Sequence, residues 1–137
     1  MKNKSKLKFE IFKKMVISLN ESIDILVKNT DITHKRWLKD SVIQRFEYTI
    51  EWLWKFLKVF LLEEHQEDVY SPKQVIKTAF KVWIINDIKI YIDMIEKRNR
   101  LSHDYHDEFA EISCEEIIDK YIDVINIFFE SVKKEYE

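Results

Sequence analysis

The chain is predicted to be all-α, an antiparallel bundle of four to five helices forming one domain over residues 1–137. Three observations predict this. With no glycine and one proline in 137 residues, the residues that tight β-hairpin turns demand are almost absent. Apolar residues recur in steps of three and four, the period of a helix with one buried face. The Lys, Glu and Ile content suits long helices.

Phe9, Phe12, Val16, Leu19, Ile23 and Leu26 alternate steps of three and four without a miss, which predicts a first helix ending near Asn29. From Asn29 to Lys39, residues such as Asn29, Thr30, Asp31 and Thr33 compete for backbone hydrogen bonds, predicting a turn and a new cap. A second helix is expected over Asp40 to Glu64. Its core stripe is Ile43, Phe46, Ile50, Leu53, Leu57 and Phe60, and Trp52, Phe56 and Val59 form another beside it, with Trp54, Leu61 and Leu62 extending both. A helix apolar nearly all round needs cover on more than one side, so a homodimer is expected. Gln66 to Tyr70 is a polar connection. Ser71-Pro72-Lys73-Gln74 then starts a helix, with Ser71 as N-cap, Pro72 at the first position and Gln74 as the reciprocal partner. Val75, Ile76, Ala79, Phe80 and Trp83 are its expected buried face. Asn86-Asp87 marks a break before a helix carrying Ile88, Ile92 and Ile95. Asp104 to Ile112 is polar and acidic, an expected loop. Ser113-Cys114-Glu115-Glu116 has the form of a second capping box, launching a last helix through Ile118, Ile122, Ile125, Phe129 and Val132, widened by Tyr121 and Phe128.

A chain of this length buries roughly two thirds of its unfolded surface, enough for a core without metal or disulfide. The single cysteine, Cys114, has no internal partner, and no apolar signal segment stands at the start, so a cytoplasmic protein is expected. Lys55 and Lys58 interrupt the most hydrophobic stretch, which argues against a membrane span. The net charge of −2 does not point to nucleic acid. Yet Lys2, Lys4, Lys6, Lys8, Lys13 and Lys14 face only Glu10 in the first fourteen residues. That basic arm reads as a frayed, solubilising terminus or as a contact to a polyanion.

The stretch Arg98-Asn99-Arg100-Leu101-Ser102-His103-Asp104-Tyr105 is where the pattern fails. Continuing the stripe of Ile88, Ile92 and Ile95 reaches Asn99 and Ser102, which are polar. On one helix Arg98 and His103 lie about 140° apart, so either the helix ends inside the motif or a second copy completes a site. His103, with an ordinary pKa of about 6.5, can move a proton near neutrality. Arg98 supplies a forked permanent charge suited to phosphate. Together they suffice to cleave RNA: imidazole takes the proton of a ribose 2′-hydroxyl, and the guanidinium stabilises charge on the phosphorus oxygens. Cations at a helix C-terminus are the plainer explanation of the same spacing, with Asn99 as a capping residue and Arg100 a solvated charge.

His103, His106 and Asp107, with Asp104 and Glu108 nearby, make a sparse metal set, and no other His or Cys cluster exists, so neither metal nor cofactor is expected. His34 and His65 read as surface residues. Acidic neighbours argue against a Cys114 thiolate. Trp37, Trp52, Trp54 and Trp83 sit at helical spacing and read as core.

Arg98-Asn99, three residues, His103, one residue and Tyr105 resemble the signature of HEPN-domain proteins, in their HepT-like branch, also called nucleotidyltransferase substrate-binding proteins. Three further stretches agree in order: Ile43 to Glu51 with Trp54-Lys55, Ser71-Pro72 with Ala79-Phe80, and Asp93-Met94-Ile95-Glu96 running into the motif. The resemblance implies a homodimeric bundle acting on RNA as the toxin of a pair whose antitoxin is a minimal nucleotidyltransferase (MNT). It implies Arg98 and His103 as the catalytic pair, Asn99 and Ser102 as supporting residues, and Tyr105 as the site the partner modifies with AMP. Leu101 stands where that branch has a small or hydroxylated residue. The alternative is a non-catalytic subunit that binds substrate or nucleotide for a two-component nucleotidyltransferase.

Overall fold

The structure, a computed structural model, describes residues 3–137. Among them are helices and no strand. Lys2 of the basic arm lies outside the described residues.

Helix α1 (Asn3–Lys28) buries Phe9, Phe12, Val16, Leu19 and Leu26, the predicted stripe, with Ile23 half-buried at its edge. The described part of the arm is the first turns of this helix rather than a frayed tail. Ser5 is buried within it, and Lys8 Nζ lies 5.2 Å from the Trp52 ring centroid.

Helix α2 (Ile32–His65) begins at Ile32, well before the expected Asp40. Asp31 sets the start, its carboxylate accepting from the Thr33 N–H at 2.9 Å. The first turns expose Ile32 and Trp37. With no buried face there, apolar periodicity carries no signal, and the cap alone decides.

Helix α3 (Pro72–Lys81) has Ser71 Oγ accepting from the Gln74 N–H at 3.3 Å. The reciprocal bond is displaced by one residue: Gln74 Oε1 accepts from the Tyr70 N–H at 3.3 Å. Val75, Ile76 and Ala79 are buried, but Phe80 is half-exposed and Trp83 is 89% exposed. Trp83 left the expected face because the helix closes before it. The Ile84 N–H reaches the Ala79 carbonyl at 2.9 Å and the Trp83 N–H reaches Phe80 at 3.2 Å, with Trp83 at φ 68°. That is a Schellman closure, whose left-handed position usually takes glycine. In a chain without glycine, a tryptophan holds it and points outward.

Helix α4 (Ile88–His103) runs unbroken from Arg98 to His103. Tyr91, Met94, Ile95 and Leu101 are its buried residues, with Ile88 and Ile92 at the margin. Only Asp104, Tyr105 and His106 separate it from α5 (Asp107–Glu116), so the expected loop to Ile112 is largely helix. The cap is His106, whose Nδ1 accepts from the Phe109 N–H at 3.4 Å. Ser113 is therefore not a cap. It is buried inside the helix, and its hydroxyl has no hydrogen-bond partner among the described residues. Phe109, Ala110, Ser113, Cys114 and Ile117 form one buried face, and the serine in that face disguises its period. A π-helical turn, Ile117–Tyr121, carries the rod into α6 (Ile122–Lys133), where Ile122, Ile125, Phe128, Phe129 and Val132 are buried.

Helix α2 is the axis of the bundle. Helix α1 lies antiparallel along it, as Arg45 Nε to Ser18 Oγ at 2.9 Å and Ser5 N to Glu63 Oε1 at 3.1 Å record. Helix α6 returns along α1, where Phe9 stacks on Phe129 and Phe12 meets Phe128 edge-on. This aromatic cluster joins the aliphatic residues of the same core. The two apolar stripes of α2 are covered largely within the chain: Phe56 and Leu61 are buried, Trp52 and Trp54 half-buried, and Leu62 remains half-exposed. Among the described residues no helix is long and apolar enough to cross a membrane.

Candidate functional site

Helix α4 runs antiparallel to α2, and this packing sorts the motif into two sides. Arg98 and Ser102, four apart, share one side of the helix, and Tyr105, just past its end, falls on the same side. Along α2, Asp40, Glu47 and Glu51 are spaced seven and four and share one side too. The two rows meet. Arg98 Nη2 lies 2.9 Å from Glu51 Oε2. Ser102 Oγ donates to Glu47 Oε2 at 3.0 Å, and the Tyr105 hydroxyl donates to Asp40 Oδ1.

Each contact constrains its residue. Glu51 also accepts from Trp54 Nε1 at 3.2 Å and pairs with Lys55 at 3.2 Å, so the carboxylate facing Arg98 is itself held. Arg98 Nη1 donates to Asn99 Oδ1 at 3.4 Å, while its Nε is buried without a hydrogen-bond partner among the described residues. Tyr105 is 46% exposed. Partial burial, then the bond to Asp40, then the charges of Glu47 and Asp107 push its phenol well above the ordinary tyrosine range. Beside it opens a cavity of about 560 Å³, lined by Trp37, Ser41, Arg45 and Glu47 among others.

The second side of α4 faces the start of the last rod. Asn99 and His103, four apart, open with Arg100 onto a cleft of about 570 Å³ whose far wall carries Glu116, Lys120 and Tyr121. Lys97 bridges the walls with an ion pair to Glu116 at 2.8 Å. The Arg100 guanidinium sits 4.0 Å from the Phe109 ring centroid, so it is stacked rather than merely solvated. Burial, then Glu116 and Asp93, push the Tyr121 phenol up to about 12. The π-helical turn places Tyr121 here, a wide turn of the kind that often marks functional surfaces.

The structure thus joins Arg98, Ser102 and Tyr105 on one side and Asn99 and His103 on the other. Of the two possibilities at the motif, a helix end between Arg98 and His103 is excluded: α4 runs to His103, with Asp104 as its C-cap, and Asn99 caps nothing. Three carboxylates escaped the motif-centred reading, Asp40, Glu47 and Glu51. Their seven-and-four spacing puts them on one side of α2, but nothing in the local sequence pairs that row with the motif.

The remaining candidates resolve plainly. His106 caps α5, and among the described residues no group of three or more His, Cys, Asp or Glu side chains converges as a metal set. His34 and His65 are exposed. Burial first, with Glu111, Glu115 and Asp40 adding to it against Lys39, pushes the Cys114 thiol up to about 11, so it stays protonated at neutrality. Trp37 and Trp83 are surface residues rather than core, because the α2 start and the α3 closure both lie outside the packed stripes.

The family of proteins described as nucleotidyltransferase substrate binding protein like matches residues 7–134. The chain belongs to this family. Its fold matches the crystal structure of a protein from Thermus thermophilus with a TM-score of 0.71 and 25% sequence identity, over 90% of this chain and 97% of that one. It also matches the tri-AMPylated Shewanella oneidensis HEPN toxin in complex with MNT antitoxin, with a TM-score of 0.71 and 14% identity, over 90% and 97% of the two chains. No curated protein matches the sequence. The chain shares the helical-bundle fold of that HEPN toxin.

Proposed function

We propose that this protein is a metal-independent endoribonuclease toxin, active as a homodimer, and silenced when a partner nucleotidyltransferase antitoxin attaches AMP to Tyr105. The observation that carries the proposal is the presentation of the motif at the exposed end of α4 in a family bundle, with His103 and Tyr105 two residues apart on either side of the helix terminus. His103 takes the proton of a ribose 2′-hydroxyl, the resulting oxyanion attacks the adjacent phosphorus, and Arg98 stabilises charge on the non-bridging oxygens. Because Arg98 and His103 diverge on one intact helix, the arginine serving a given histidine comes from the second copy. A nucleotide on Tyr105 adds bulk and negative charge where RNA phosphates must enter, which is the silencing step. Asn99 and Ser102 support the site by holding the Arg98 and Glu47 side chains.

The test is expression of wild type and His103→Ala without the partner. Arrested growth and fragmented RNA are expected only with wild type. Equal growth and intact RNA in both strains overturn the proposal. A second reading, a non-catalytic subunit that presents nucleotide or its own tyrosine to the transferase, is favoured by one observation: Arg98 already spends its charge on Glu51. Nucleotide binding without any RNA cleavage selects that reading.

A further inference from the structure

We infer that Asp40 is the general base that activates Tyr105 for nucleotidyl transfer, so the chain supplies part of the chemistry of its own modification. The inference rests on Tyr105 being the acceptor, as proposed above. A phenol attacks an α-phosphorus well only as its proton leaves, and burial with neighbouring carboxylates keeps this phenol protonated at neutrality. A proton acceptor at the oxygen is therefore needed in the transfer step.

Three carboxylates surround the phenol, and their partners separate them. Asp107 on α5 is paired with Arg36 at 3.3 Å. Glu47 on α2 accepts from Ser102 at 3.0 Å. Asp40 alone accepts from the Tyr105 hydroxyl, and it does so from an exposed position on α2. The nearby cations are committed elsewhere: Arg45 donates to Ser18 at 2.9 Å and Ser41 at 2.6 Å, and Lys39 is paired with Glu111. The cavity of about 560 Å³ beside the hydroxyl lies within the range of small-ligand sites, which gives a nucleotide room to approach the oxygen.

Atoms and charge balance across the step. The Tyr105 oxygen forms a bond to the α-phosphorus of a nucleoside triphosphate held by the partner. The bond from that phosphorus to the β-phosphate bridging oxygen breaks, and pyrophosphate leaves with the electron pair. The phenolic proton passes to the Asp40 carboxylate and then to water.

The experiment follows AMP incorporation by intact-protein and peptide mass spectrometry, using the full chain with the partner nucleotidyltransferase and ATP. Wild type, Asp40→Asn, Asp40→Glu and Tyr105→Phe are compared, with circular dichroism checking the fold of each. Asp40→Asn is expected to lower kcat about a hundredfold or more at neutral pH with little change in KM for the chain. Its rate should then climb about tenfold per pH unit as hydroxide replaces the carboxylate, and Asp40→Glu should recover part of the loss. Modification of Asp40→Asn at the wild-type rate overturns the inference. So does a loss that high pH does not relieve, which marks Asp40 as a support for the loop only. An adduct on another residue of wild type, or none at all, overturns the reading of Tyr105 beneath it, and the peptide map distinguishes that failure from the others.

Discussion

The two sides of α4 handle the same motif in opposite ways. Toward α2, every functional group meets one carboxylate: Arg98 meets Glu51, Ser102 meets Glu47, and Tyr105 meets Asp40. Toward the last rod, His103 stands exposed at the mouth of a cleft whose walls are bridged by the Lys97–Glu116 ion pair. The first side fixes positions and neutralises charge. The second leaves an imidazole free to meet a ligand. Arg98 and His103, the proposed cation and base, are thus divided on a single helix between a packed face and an open one.

The largest effect expected from breaking this contrast is on the open side. His103→Ala should lower RNA cleavage by about 10²–10⁴, the range for a lost general base, while the exposed position leaves thermal stability nearly unchanged. Cleavage of a fluorogenic RNA and a melting curve on the same sample check both halves. A variant that melts early as well as losing cleavage would show that the open side is structural after all.

The packed side should respond in stability first. Glu51→Ala is expected to cost about 1–2 kcal/mol, between the values for exposed and for buried pairs, because Glu51 and Arg98 are each only partly exposed. Urea unfolding of Glu51→Ala, Arg98→Ala and the double variant isolates the pair. Additive losses would mean that Arg98 and Glu51 are not coupled.

The two phenols flanking α4 sharpen the contrast through pH. Tyr105 is raised by burial and Asp40, whereas Tyr121 is raised to about 12 by burial and Glu116. A phenol whose pKa is higher in the folded state stabilises the fold fully below its unfolded value of about 10, and that contribution is lost as pH rises through the folded value. Asp40→Asn should therefore bring the Tyr105 transition down toward the ordinary range and leave Tyr121 where it is. Ultraviolet titration of Asp40→Asn with and without Tyr105→Phe reads the difference, and an unmoved Tyr105 transition would detach it from Asp40.

The smallest effect concerns the rod behind the open side. Ser113 buries an unpartnered hydroxyl, so Ser113→Ala should be neutral or stabilising by up to about 1 kcal/mol. If Ser113 capped a helix, the same change would cost about 1 kcal/mol. The sign of the shift in unfolding midpoint separates the two.

Where the signal was local, it was legible. The stripe of α1, the start of α3 at Ser71-Pro72 and the buried face of α6 all followed from spacing and cap chemistry within a few residues. Where the outcome depended on competition between neighbours, it was not. Two N-caps were possible around the last rod, and His106 prevailed over Ser113 because Phe109 and Ala110 find burial only if the helix starts early. Trp83 follows the Schellman closure rather than its own hydrophobicity. The early start of α2 has no buried face to announce it. For the site, Arg98, His103 and Tyr105 were visible as a motif, but the carboxylate partners of Arg98 and Tyr105 lie 47 and 65 positions away along the chain, beyond any local pattern.

By itself the sequence determined the all-α class, most helices and the family, because backbone propensity, periodicity and motif spacing are properties of short stretches. Only the tertiary structure decided which side of α4 is packed and which is open. That choice belongs to α2 and the last rod, since a helix can expose a residue only where no neighbour covers it. Asp40, Glu47 and Glu51 became partners of Tyr105, Ser102 and Arg98 through the antiparallel register of two helices, which no local stretch of residues encodes.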